Sequence, residues 1–224
     1  MRWTDMYIPI ALASAALAST ALVSPAQAQP GFVLDDFDSA INDEIGGDRA
    51  ISLDVLANPF SQMTKFEVSP GFAFGDILGA MVFNSGLAAE QIGTLAWNNS
   101  GSGLSLDATE LVGFELDFLQ ADQGFAVSIE MASFSTGGSA SWTGNVGATS
   151  TGQTLAVAFG EFTPSGEFDL GDLDSVTMRF NVGESPRSSL DFVLTEFRTS
   201  NIPAPGSVAV VGLSGLLLSR RRRR

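Results

Sequence analysis

Leu111-Val112-Gly113-Phe114-Glu115-Leu116-Asp117-Phe118 decides the fold class. Apolar Phe114, Leu116 and Phe118 alternate with Gly113, Glu115 and Asp117, a period of two that suits a half-buried strand and no helix. The same alternation runs through residues 50–55, 125–131, 155–159, 176–180 and 192–197. Clusters rich in Gly, Asn and Ser, such as residues 98–103 and 135–139, punctuate these segments as turns. No stretch supports a long amphipathic helix; residues 87–91 offer one turn at most. Ten or more short strands in about 170 residues predict an all-β chain with two packed antiparallel sheets. The expected architecture is a single β-sandwich, a jelly roll, with no internal repeat of fixed period.

Composition narrows the chemistry. The chain of 224 residues contains no His and no Cys, which excludes Ser-His-Asp and Cys-His nucleophile systems, His-ligated zinc and disulfides. Acids outnumber bases 25 to 11, a formal charge of −14, which argues against nucleic-acid binding because phosphate contact needs a basic face. Hydrophobic residues make up 45% and Phe alone numbers 17, so the chain can bury a core and is not a disordered polyanion.

The two ends read as addresses. Arg2 opens a weakly basic start, residues 8–23 form an apolar run, and Ala26-Gln27-Ala28 supplies the small residues that signal peptidase requires. The expected cut falls after Ala28 and leaves Gln29, so residues 1–28 form a signal peptide and the chain is exported. Residues 29–200 form the sandwich. At the other end, Pro203-Ala204-Pro205-Gly206 precedes an apolar run over residues 208–218, followed by Arg220, Arg221, Arg222, Arg223 and Arg224. An eleven-residue apolar helix reaches only about 17 Å, short of a hydrocarbon core of roughly 30 Å. The arginines hold the tail on the cytoplasmic side, so the expectation is a transient membrane pause with the domain outside.

That order of Pro-x-Pro motif, short apolar stretch and terminal arginines resembles the PEP-CTERM sorting signals of Gram-negative and related bacteria, in a variant with Ala204 where those signals carry Glu. The resemblance covers residues 201–224. It implies an exosortase, a membrane transpeptidase-like sorting enzyme, as partner, and a final location in the cell envelope, on the cell surface or in the exopolysaccharide matrix.

With both ends removed, residues 29–202 keep 24 acids against Arg49, Lys65, Arg179, Arg187 and Arg198, a formal charge of −19. Such a body repels anionic surfaces and favours neutral glycans or divalent cations as partners. The succession Leu34-Asp35-Asp36-Phe37-Asp38, the strand at 111–118, Phe159-Gly160-Glu161-Phe162-Thr163 and Leu170-Gly171-Asp172-Leu173-Asp174 resembles jelly-roll modules of the carbohydrate-binding or galactose-binding type. The resemblance implies a sandwich that meets polysaccharide.

Trp97 and Trp142 are the candidate glycan contacts, because aromatic faces stack on pyranose rings; the competing reading makes both of them caps of the core. Trp142 lies in a Gly- and Ser-rich stretch, residues 137–147, which suggests a loop or an edge. Two acidic clusters, Asp35, Asp36 and Asp38 and later Asp169, Asp172 and Asp174, are read either as calcium ligands or as turn caps. No other cofactor is expected. Among 24 acids some pair of carboxylates always exists, so a pair is no sign of a glycosidase. Lys65, the only lysine, sits on the polar side of a strand-like Thr64-Lys65-Phe66-Glu67, so no enzyme is expected. The sequence therefore points to a structural or adhesive surface protein, with a carbohydrate-binding module, calcium-assisted or not, as the alternative.

Overall fold

The computed structural model describes residues 32–39, 49–75 and 77–200. The expected cleavage site at Ala26, Ala28 and Gln29 and the tail carrying Pro203, Ala204, Pro205, Gly206 and the terminal arginines lie outside the described residues. Within them the alternating segments become strands: β1 Val33–Asp35, β2 Arg49–Ala57, β3 Lys65–Phe74, β4 Ile77–Asn84, β5 Glu90–Trp97 and β6 Gly113–Ala121. They continue as β7 Phe125–Ser133, β8 Gly138–Val146, β9 Gln153–Ala158, β10 Thr163–Ser165, β11 Ser175–Phe180 and β12 Asp191–Ser200. Helical structure among the described residues is confined to three single turns of 3-10 type.

The strands form two antiparallel sheets packed as a sandwich, as the alternation predicts. The first runs β3-β4-β12-β6-β9, with β1 also paired to β12, and the second runs β10-β8-β7-β11-β5-β2. The central strands turn their apolar rows inward: Phe114, Leu116 and Phe118 from β6 meet Val127, Ile129 and Met131 from β7 and Val176, Met178 and Phe180 from β11 in one core. Its centre is a pile of rings. Phe192 stacks on Phe83 on one side and on Phe125 on the other, each pair with centroids 4.8 Å apart and planes 12° from parallel. Gly93 on β5 gives up its side chain to the ring of Phe66 from the opposite sheet; a Cβ there would sit 2.9 Å from the ring. Each fully buried Phe contributes about 1.5–3 kcal/mol of transfer free energy to holding the two sheets together.

The alternation in β2 overstates its burial. Ile51 and Val55 pair in register with inward-facing Leu95 and Gln91, yet they remain 39% and 47% exposed because β2 is the edge of its sheet.

One polar cluster is sealed inside. Asp35, at the end of β1, is 1% exposed; Arg49, at the start of β2, donates from Nη1 to both of its oxygens, and Trp97 Nε1 donates to Oδ2 at 2.8 Å. Arg49 also donates to the Ser39 carbonyl at 2.8 Å, and its guanidinium lies over the Phe37 ring. Burial pushes the Asp35 carboxyl up, while Arg49, Trp97 and the Phe37 amide pull it down; burial is the larger effect. The cluster ties β1 of one sheet to β2 and β5 of the other.

Candidate functional site

The outer face of the first sheet carries a trough, and two adjacent irregularities in the strands create it. Between β12 and β6 the register runs Phe192 to Ala121 and Val193 to Gln120, then skips to Leu194 opposite Phe118 and again to Glu196 opposite Asp117. Leu119 on β6 and Thr195 on β12 are therefore extra residues without a cross-strand mate, two bulges at neighbouring positions of the sheet centre. A bulge bends its strand and re-aims side chains. Here the bend places Thr195 and Glu196 side by side on the outer surface, between inward-facing Leu194 and Phe197. Thr195 Oγ1 donates to the Asp117 carbonyl at 3.0 Å, which fixes the bulge.

A second feature lengthens the depression. Strand β4 pairs with β12 only over residues 191–194, and β1 takes over the same edge at Phe197 and Arg198. Between them lies a gap lined by Asp36, Asp38, Ile77, Leu78, Thr195 and Glu196, with a volume of about 280 Å³. The two strands can approach this closely because residue 79 is glycine: a Cβ there would lie 2.4 Å from the Phe37 carbonyl oxygen. The gap runs into a second cavity of about 450 Å³, which shares Ile77, Thr195 and Glu196 and adds Asp117, Leu119, Gln153 and Thr154. The result is one trough lying across the strands.

Its polar groups are held in place from beside it. Arg198 on β12 ion-pairs with Glu115 at 2.7 Å, with Glu196 at 2.7 Å and with Asp117. Burial alone would lower the pKa of Arg198; hydrogen bonds to Glu196, Asp117 and Glu115 outweigh it and raise it above the ordinary arginine value, so the guanidinium stays charged. Thr154 donates to Asp117, and Ser200 donates to Glu115 at 2.8 Å. One cation therefore fixes three carboxylates on one face, two of which, Asp117 and Glu196, reach the trough. The surface combines fixed acceptors with the Gln153 amide, two threonine hydroxyls and the aliphatic Ile77, Leu78 and Leu119. It suits a ligand that donates many hydrogen bonds and carries no negative charge.

The tryptophans singled out from the sequence are elsewhere. Trp97 is fully buried, with its ring 5.0 Å from Phe197 and its N–H on Asp35, so it has no face to offer a glycan. Trp142 is half-buried against the core. The Gly- and Ser-rich stretch around it is strand β8, not a loop but a sheet edge at Trp142, since β10 pairs only with residues 139–141; its ring lies over Gly144, where a Cβ would fall 2.3 Å from it. The structure brings neither ring to the trough.

The acidic clusters also resolve into separate roles. Asp35 is the sealed ion-pair partner described above. Asp36 accepts from the Asp38 amide at 3.0 Å, Asp169 from the Gly171 amide at 2.8 Å and Asp174 from the Phe134 amide at 2.6 Å, while Ser135 donates to Asp172. The first two are local turn caps, and the last two tie the turn after β7 to the segment that precedes β11. Among the described residues, no three acidic side chains converge closely enough to hold a metal ion. Lys65 is exposed and pairs with Glu67 at 2.9 Å. The sequence reading missed the trough because it requires knowing which strands are neighbours; its sequence signals are the spacings of Phe118 and Ala121 and of Leu194 and Phe197, three apart where strict alternation needs two.

No family model matches the chain, and no curated protein does. Solved structures do resemble it. The family 11 carbohydrate-binding module from Clostridium thermocellum, in complex with a β-1,3-1,4-mixed-linked tetrasaccharide, superposes with a TM-score of 0.51 at 15% identity, covering 78% of this chain and 98% of the module. A family 11 module of a cellulosomal cellulase of the same organism gives 0.50 at 15% identity, covering 78% and 96%. The likeness establishes the fold, a two-sheet jelly roll of the kind these modules adopt.

Proposed function

We propose that this chain is an exported, non-catalytic carbohydrate-binding β-sandwich that seats a stretch of neutral polysaccharide in the trough across β4, β12, β6 and β9. The observation that carries the reading is the pair of adjacent bulges at Leu119 and Thr195, which open a trough lined by fixed acceptors in the middle of the sheet. Bulges in mid-sheet are conformationally specified features that recur beside functional sites. The likeness to modules of which one holds a tetrasaccharide supports the choice of ligand class. Sugar hydroxyls would donate to Asp117, Glu196 and Asp36 and exchange bonds with Gln153, Thr154 and Thr195, while Ile77, Leu78 and Leu119 cover the sugar C–H faces. Without an aromatic platform in the trough, contact rests on hydrogen bonds and aliphatic packing, so single sugars bind weakly and affinity grows with chain length. Affinity electrophoresis through gels containing soluble neutral glucans, xylans and mannans tests this: retardation by at least one supports the reading, and free migration through all of them refutes it.

The ends supply the setting. Signal peptidase removes residues 1–28, and residues 201–224 act as a PEP-CTERM-like sorting tail, read by an exosortase at Pro203, Ala204, Pro205 and Gly206 with Arg220, Arg221, Arg222, Arg223 and Arg224 as the stop. The sandwich then serves as a surface or matrix protein that holds polysaccharide. Intact mass of the protein from its native host, taken from membrane and medium fractions, checks this step. A species ending near residues 203–207 supports sorting by cleavage; retention of all five arginines in every fraction refutes it.

A further inference from the structure

Asn181 is 1% exposed, sits at a backbone φ of 64° and makes three hydrogen bonds through its side chain. Its Nδ2 donates to the carbonyls of Gln91 at 2.9 Å and Arg187 at 2.8 Å, and its Oδ1 accepts from the Arg187 amide at 2.7 Å. These bonds close residues 181–187 into a fixed loop after β11. Between this loop, the start of β7 and the end of β8 lies a cleft of about 430 Å³ whose lining includes Phe125, Asn145, Val146, Asn181, Glu184 and Arg187. It shares no lining residue with the trough.

The charges here are unusual for this chain. Of the five basic residues in the acidic body, Arg49, Lys65 and Arg198 are ion-paired with carboxylates; among the described residues Arg179 and Arg187 are not. Only the second of these two borders the cleft. Arg187 donates from Nε to the Gly124 carbonyl at 3.1 Å, which pins the guanidinium and leaves both Nη groups without an acceptor among the described residues. A pinned, unpaired guanidinium is matched in geometry to a carboxylate. Glu184 on the same cleft disfavours a dianion such as a phosphate and offers an acceptor to hydroxyl donors, as does Asn145.

We propose that this cleft is a second binding site, for a uronic acid residue at the end or branch of an acidic glycan. The sugar carboxylate takes the Nη groups of Arg187, and ring hydroxyls donate to Glu184 and Asn145. The site is independent of the trough, so either can fail alone.

Saturation-transfer NMR titrations on the purified full-length protein test it with methyl glucuronide, methyl glucoside and acetate. The expected result is saturable binding of the glucuronide, binding of the glucoside at least ~10-fold weaker, and no displacement by equimolar acetate. Arg187→Gln should weaken glucuronide binding at least ~10-fold, and Glu184→Gln should tighten it by removing a like charge. Glu184 is exposed and has no hydrogen bond or ion pair to lose among the described residues, so that variant remains informative even if Arg187→Gln disturbs the loop. Equal affinity for glucuronide and glucoside, displacement by acetate alone, no saturable binding, or unchanged glucuronide affinity in both variants would overturn the assignment.

Discussion

Trp97 donates its indole N–H to Asp35 across 62 positions of sequence, at 2.8 Å, and both residues are sealed from solvent. The bond joins strand β1 of one sheet to β5 of the other, and it converts a residue that looks like a sugar platform into part of the core. Trp97→Phe keeps most of the ring volume but leaves Asp35 short of a donor, so it should lower unfolding free energy by about 1–3 kcal/mol in urea titrations. It should leave glycan affinity unchanged. A loss of affinity without a loss of stability would show that Trp97 contacts ligand after all.

Arg49 has no carboxylate partner other than Asp35 among the described residues, and its side chain is fully buried. Asp35→Ala therefore strands a buried cation, which costs about 3–5 kcal/mol where a single partner of a buried pair is removed. The expected result is a protein that unfolds at markedly lower denaturant concentration, with a larger loss than Trp97→Phe. A loss under about 1 kcal/mol would mean that water reaches Arg49 when its partner is removed.

Asp191 sits where burial first, and the neighbouring Asp122 second, raise its pKa above the ordinary 3.8, with the Ser85 amide opposing them. The folded chain thus binds this proton more tightly than the unfolded chain does. Stability contributed by the group is present at low pH and declines as pH rises from the ordinary value through the raised one. Asp191→Asn removes that loss by taking the titrating group away. The variant should melt above wild type at pH 7, with the gap closing as pH falls toward 3.8. Parallel melting curves at all pH values would contradict the raised value.

Leu119 has no partner on β12, and Phe118 and Gln120 pair with Leu194 and Val193, which stand next to each other. Deleting Leu119 thus restores plain alternation, with Phe118 and Ala121 still facing the core. The deletion should leave a folded sandwich by circular dichroism, a flatter sheet and a trough too shallow for polysaccharide. Retained binding in a folded deletion variant would remove the bulge from the mechanism.

These cases mark how far the sequence could be read. Alternation found the core faces of β6, β7 and β11 because central strands buried on one side leave their pattern directly in the residues. It overstated β2, since an edge strand shows the same pattern with no sheet neighbour to cover it. It left Trp97 undecided although Leu95 and Trp97 share one inward row, because buried Gln91 and Gly93 interrupt the hydrophobic pattern of that row. Glycine around Trp142 looked like loop composition, whereas Gly144 is small because the indole lies on it. The trough was beyond reach: it depends on β12 lying between β4 and β6, and on β1 and β4 sharing one edge, which are facts of strand order.

The direct test of the trough is calorimetric titration of the full-length protein with mixed-linkage β-1,3-1,4-glucan, comparing wild type with the double variant Gln153→Ala and Glu196→Gln. Both residues line the trough, and neither is fully buried. The trough predicts saturable binding by wild type and a loss of at least ~10-fold in the variant, with melting temperatures within a few degrees of each other. Equal affinity in the two proteins, or no binding of any neutral glucan, xylan or mannan by wild type, would contradict it.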